Sequence, residues 1–116
     1  MTHAEVSQLL IKWFTENQDY KGWFLLQNAT GYGHDEHTHF GCPPCGGGFD
    51  YFAFGQGRAE FFEVKTEGYP ALSKSQKTFR DNMIKAGCKT WVFREWEDSF
   101  YIVPAEKYRP KAKWPY

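Results

Sequence analysis

Val6, Leu9, Leu10, Trp13 and Phe14 recur at the i, i+3, i+4, i+7, i+8 spacing of one helical stripe. Thr2 precedes them as an N-cap, with Glu5 three residues on to close a capping box, and the helix is expected to end near Asn17. Trp23 to Gln27 is a short unbroken apolar run that predicts a buried strand. No period holds from Asn28 to Gly48. Asp50 to Phe54 and Ala59 to Lys65 read as strands around Gly55-Gln56-Gly57-Arg58, a hairpin signal. Ser73 to Ala86 predicts a second helix. Ser73 and Gln76 fit a capping box, Gly87 sits where a C-terminal glycine belongs, and Phe79, Met83 and Ala86 form its apolar side. Thr90 to Arg94 and Ser99 to Val103 predict two more strands, joined by Glu95-Trp96-Glu97-Asp98. The order α-β-β-β-α-β-β predicts an α/β fold, a mixed central sheet flanked by helices. Residues 1–106 read as one domain and 107–116 as a basic irregular tail.

Composition narrows the class. At 116 residues, 41% hydrophobic and 20% aromatic, the chain suits one packed core. No apolar run approaches membrane-spanning length, and the first residues carry neither the basic nor the apolar region of a secretory signal. Three cysteines is an odd count without a disulfide-scaffold spacing, so a reducing cytoplasm is expected, bacterial or of a phage-infected host. The net charge of zero hides an asymmetry. Residues 1–56 hold two basic and six acidic side chains, whereas residues 57–116 hold twelve and eight. A neutral chain can therefore still turn a basic face to nucleic acid, and Lys74, Lys77, Lys107, Arg109, Lys111 and Lys113 are candidate phosphate contacts. A chance split of solvated charges fits the same counts.

The hairpin fixes a finer geometry. If the turn is symmetric about Gln56 and Gly57, Phe54 faces Ala59 and Asp50 faces Glu63. Facing residues project to the same side of a sheet, and Lys65, two beyond Glu63, joins them. Facing carboxylates repel, and a divalent cation between them removes the conflict, since Mg²⁺ takes one or two carboxylates plus water and phosphate oxygens. With a nearby ammonium to orient water, that arrangement suits phosphodiester hydrolysis. The same residues also suit an ordinary half-exposed strand in which Lys65 pairs with Glu63 or Asp50. A one-residue register slip would throw Asp50 to the other face.

Gly48-Phe49-Asp50, twelve intervening residues, then Glu63-Val64-Lys65 resembles the PD-(D/E)XK nuclease motif. Leu72-Ser73-x-x-Gln76, a helix, Ala86-Gly87 and the strand Lys89 to Arg94 resemble one branch of it, the virus-type replication-repair nuclease (VRR-NUC) domain. The likeness runs from about Glu5 to Arg94 and includes Gln27-Asn28-Ala29-Thr30-Gly31; Ile102-Val103-Pro104 is similar to the endings of some Holliday-junction resolvases. The usual proline before the motif aspartate is Phe49 here. The resemblance implies a restriction-endonuclease-like core. It implies that Asp50 and Glu63 bind the metal with the carbonyl of Val64, that Lys65 positions the attacking water, and that Gln76 helps hold the site. It further implies that a first-helix glutamate assists a second metal. Glu5 and Glu16 share one azimuth but lie roughly 16 Å apart along the axis, so only one can reach; the resemblance favours Glu5. Gln76 also has a purely structural role open to it, as the third residue of its capping box.

The segment before Asp50 departs from that pattern. His34, His37, His39, Cys42 and Cys45 crowd into twelve positions, and His37, His39, Cys42 and Cys45 have a zinc-like spacing. A structural zinc would staple a long aperiodic loop. Against it, Cys88 is the only other cysteine, and Pro43-Pro44 removes two amide donors that support zinc-bound thiolates. Free thiols and solvated histidines are the plain alternative.

The expected activity is Mg²⁺- or Mn²⁺-dependent endonucleolytic cleavage of DNA, branched or four-way junction DNA first, in replication, repair or recombination. A domain this small offers little surface against the ~1,000–2,500 Å² of a specific protein–DNA interface, so a homodimer is expected. The competing expectation is a non-catalytic DNA-binding or partner-binding module on a nuclease fold, zinc-stapled or not.

Overall fold

The computed structural model describes residues 1–28 and 48–116. Helix α1 spans His3–Glu16 and α2 spans Lys74–Lys85. Five strands, β1 (Phe24–Gln27), β2 (Tyr51–Gly55), β3 (Arg58–Lys65), β4 (Lys89–Trp96) and β5 (Ser99–Pro104), form one sheet in the order β1-β2-β3-β4-β5. All neighbours are antiparallel except β3 and β4, which run parallel because α2 carries the chain back between them. This is the mixed α/β sheet that the pattern predicted.

Both helices start where their caps stand. Thr2 accepts from the Glu5 amide while the Glu5 carboxylate accepts from the Thr2 amide, and Ser73 and Gln76 repeat the exchange on α2. The β2–β3 turn has Gln56 at φ 51° and Gly57 at φ 70°. Positive φ at both central residues gives a turn whose twist matches the strands. It fixes Phe54 opposite Ala59 and Tyr51 opposite Phe62, the register expected from symmetry about Gln56 and Gly57. Glu97 and Asp98 make a second turn of this kind, so β4 extends to Trp96, beyond the expected end at Arg94.

Each face of the sheet has its own core. α1 covers one face through Val6, Leu10 and Phe14, packed on Trp23, Phe62 and Phe93. α2 covers the other through Phe79, packed on Phe49, Phe52, Phe61 and Val92. Ala86 is exposed, so the apolar side of α2 is shorter than its spacing suggested.

The two sheet edges differ. β5 carries the C-terminal residues on its α2 side: Tyr101 Oη donates to the Ala112 carbonyl at 2.8 Å, and the partly buried Trp114 packs against that core. β1 is not the buried strand expected of its apolar run. It lies at the other edge, with Phe24 71% and Leu26 53% exposed. An unbroken apolar run cannot tell a central strand from an edge strand, because that depends on what pairs with it. Trp23, just before β1, is buried where a side chain on Gly55 would collide with its ring at 2.3 Å.

Candidate active site

The antiparallel register carries Asp50, one residue before β2, to the position opposite Glu63 on β3. Alternation puts Lys65 on the same side, facing α2. The strand Arg58–Lys65 is buried along most of its length, so Glu63 enters the site with only 3% of its surface exposed. Its carboxylate is held from three sides. The Asp50 amide donates to Oε1 at 3.2 Å, Gln76 Nε2 donates to Oε2 at 2.7 Å, and Lys65 Nζ stands 3.4 Å from Oε2.

Gln76 does two things with one side chain. Its Oε1 accepts the Ser73 amide at 2.8 Å, completing the cap, and also accepts Lys65 Nζ at 3.0 Å. The capping box therefore positions the amide that ties Lys65 to Glu63, so one side chain makes both the cap and the contacts to Glu63 and Lys65. Val64 enters through its backbone N–H, which donates to Asp50 Oδ2 at 2.9 Å.

The side chain that α1 brings is His3, not Glu5. His3 Nε2 lies 3.2 Å from Asp50 Oδ2, whereas the Glu5 carboxylate is spent on the Thr2 amide at 2.9 Å and does not line the cavity. Glu16 sits at the far end of the helix, exposed. Periodicity identified the helix, but only the packing shows which residue of its first turn reaches the sheet's end. The one signal for His3 in the sequence was its place next to the N-cap.

These groups open into a cavity of about 620 Å³, lined among others by His3, Asn28, Asp50, Glu63, Lys65 and Gln76. Its electrostatics are lopsided. Burial, and after it the charge of Asp50, push the Glu63 carboxyl well above the usual carboxylate range, only partly opposed by Lys65. The hydrogen bond to Asp50 raises His3 above an ordinary histidine. Two carboxylates are thus held together, one of them desolvated, around space open to solvent.

Of the other sequence candidates, Lys74 and Lys77 are exposed on the first turns of α2, and Lys111 and Lys113 are exposed on the C-terminal segment. Lys107 and Arg109 lie over the rings of Trp114 and Tyr116. His37, His39, Cys42 and Cys45 lie outside the described residues.

The architecture has a solved counterpart. The 1.6 Å structure of Hjc, a Holliday junction resolvase from the archaeal hyperthermophile Archaeoglobus fulgidus, superposes with a TM-score of 0.54. The match covers 89% of this chain and 75% of that one at 14% identity. The two chains share a restriction-endonuclease-like α/β fold. No family model and no curated protein sequence matches the chain. In this restriction-endonuclease-like fold the helix between the two parallel strands is α2, the element that delivers Gln76. No described helix is long and apolar enough to cross a membrane.

Proposed function

We propose that this protein is a divalent-metal-dependent DNA endonuclease that cuts branched DNA, four-way junctions first, and works as a homodimer. The observation that carries the reading is the pairing of Asp50 with a buried Glu63, tied through Gln76 to Lys65 at the mouth of an open cavity. The motif likeness to the virus-type replication-repair branch and the fold shared with a junction resolvase support the choice of substrate.

Among the described residues no three His, Cys, Asp or Glu side chains converge as a metal cluster. Two carboxylates nevertheless suffice for Mg²⁺ or Mn²⁺, which keep several waters and take phosphate oxygens from substrate. The raised Glu63 carboxyl beside Asp50 marks a place short of positive charge, which fits such an ion. Asp50 and Glu63 would hold it, with the Val64 carbonyl as the third donor implied by the motif. When bound, the metal supplies Lewis-acid polarisation of the phosphate and a water of lowered pKa.

The protein's own groups do the positioning. The Val64 amide fixes Asp50, and Gln76 fixes both Glu63 and Lys65. Lys65, with 11% of its side chain exposed, is confined to one direction and presents an N–H toward water approaching the phosphorus. The exposed lysines of α2 and the C-terminal segment are placed to meet phosphates away from the reacting one.

Incubating the protein with Mg²⁺ or Mn²⁺ and a panel of linear, flap, nicked and four-way DNA tests the reading. Metal-dependent cleavage with preference for branched substrates is expected. Binding without cleavage under any divalent metal would favour the non-catalytic module, and neither binding nor cleavage would remove both.

A further inference from the structure

The exposed edge of the sheet is where a second copy of the chain fits. β1 reads Phe24-Leu25-Leu26-Gln27, without a charge or a proline. Sheet edges in stable monomers are guarded by lysine, proline, bulges or a covering segment. β5 ends in Pro104, and the C-terminal residues pack against it on the α2 side. At β1 the described residues supply no such guard, and Phe24, Leu26 and Phe54 leave an apolar strip beside the bare strand at 71%, 53% and 39% exposure. The strip continues the α2 face, since Phe24 pairs with Phe54 and Leu26 with Phe52.

We infer that β1 pairs antiparallel with β1 of a second copy across a two-fold axis perpendicular to the sheet, joining two five-stranded sheets into one of ten. Such an axis keeps each face on its own side, and facing residues in an antiparallel pair project to one face. Partner positions must then have the same parity. Centring on Leu25 satisfies this: Leu25 faces the second copy's Leu25, and Phe24 faces its Leu26. Apolar side chains meet on both faces, and Phe54 of each copy flanks the seam.

A separate observation selects this register. Trp23 is buried, lines a cavity of about 670 Å³ along β1, and its indole N–H has no acceptor among the described residues. A buried donor left unpaired costs ~1–3 kcal/mol. The Leu25-centred register sets the second copy's Gln27 directly opposite Trp23, on the same face, and so brings a side-chain carbonyl to the edge residue whose donor is unpaired. A strand free of charge also has no electrostatic reason to prefer a foreign partner to itself.

The pairing has a consequence for cutting, which rests on the nuclease reading above. Asp50, Glu63 and Lys65 of both copies come to lie on one face of the joined sheet. Strand spacing and rise put the two sites on the order of 30 Å apart, related by the two-fold axis. A symmetric branched substrate would then meet two sites at once.

The test is mass in solution. Sedimentation equilibrium of the full chain is expected to give twice 13.6 kDa at tens of micromolar. Phe24→Lys/Leu26→Lys should weaken the dimer by at least about a hundredfold, because four like charges meet at the seam. Its far-UV circular dichroism should match that of wild type, since both side chains are exposed in the single copy, its melting temperature should lose only the protein-concentration dependence that a dimer confers, and it should still nick a flap while losing paired cuts on a junction. A second readout does not depend on that variant folding. Phe24→Cys mixed with Leu26→Cys should yield a disulfide-linked dimer with a 24-to-26 peptide identified by mass, and neither alone should cross-link comparably. A wild type that stays monomeric with and without junction DNA overturns the inference, as does a dimer that survives both lysines or a mixture without the 24-to-26 link. Absence of cleavage in a protein that passes the mass and cross-link tests would instead sink the nuclease reading and leave the interface standing.

Discussion

Glu60 and Glu63 sit three residues apart on β3, both almost wholly buried, and serve opposite ends. Glu60 faces α1. Its Oε1 accepts the Tyr20 hydroxyl at 2.8 Å and the Trp91 indole N–H at 2.7 Å, and no second carboxylate faces it across the strands. Glu63 faces α2, opposite Asp50, with a lysine and an amide held against it. Glu60 ties the turn after α1 and the middle of β4 to the sheet, and its neighbours are content to stay neutral. Tyr20 is in fact pushed far up by burial and by that carboxylate. Glu63 is pressed against the like charge of Asp50. On the reading proposed above, burial therefore does not distinguish a working carboxylate from a structural one. A repulsion retained in the folded state does, because it costs stability unless a ligand relieves it.

The strongest way to break this contrast is to remove the conflict itself. Asp50→Asn and Lys65→Ala are each expected to cut cleavage of junction DNA in Mg²⁺ by at least about a hundredfold, with DNA binding retained, as gel assays on the two variants would record. In the metal-free state Asp50→Asn should melt no lower than wild type, since it takes a charge away from beside Glu63. Cleavage by Asp50→Asn at the wild-type rate would show that the pair does not work as a site.

Glu60→Ala is the converse. It strands the Tyr20 hydroxyl and the Trp91 N–H and should cost ~2–3 kcal/mol in urea unfolding, while Glu60→Gln, which keeps an acceptor, should cost less. Cleavage per folded molecule should survive in both. A stable Glu60→Ala that cannot cut would erase the distinction between the two glutamates.

Acidity sharpens the comparison with a smaller effect. Because the folded Glu63 carboxyl lies above its unfolded value, the native state keeps a proton that the unfolded chain gives up. Its contribution to stability is fully present below the ordinary glutamate range. It is lost as pH rises through that range to the raised native value. His3 has the same sign at higher pH, as its raised pKa gives stability present below the ordinary histidine range and lost as pH climbs through the native value. Melting curves without divalent metal should therefore fall across these windows. Glu63→Gln should flatten the first and His3→Gln the second, and Mg²⁺ or Mn²⁺ should restore stability on the alkaline side. If Glu60→Gln flattened the first window instead, the strained carboxylate would have been misidentified.

Much of this was legible in the chain. The caps at Thr2 and Ser73, the Gln56-Gly57 turn and the alternation along β3 are decided by neighbours a few residues apart. They suffice to put Asp50, Glu63 and Lys65 on one face. Gln76 could be read as a cap residue or a site residue, and only the packing of α2 shows the one side chain reaching Ser73, Glu63 and Lys65 together. Which residue of α1 approaches Asp50 was not legible either. Glu5 and His3 share a turn, and the choice follows from how α1 crosses the sheet and from the Glu5 carboxylate being bound into its own cap. The apolar run of β1 promised burial, yet the tertiary structure made it an edge. Short-range turn and cap chemistry settles period and register along the chain. Which surface ends up covered depends on contacts between segments far apart in sequence, and no local pattern encodes those.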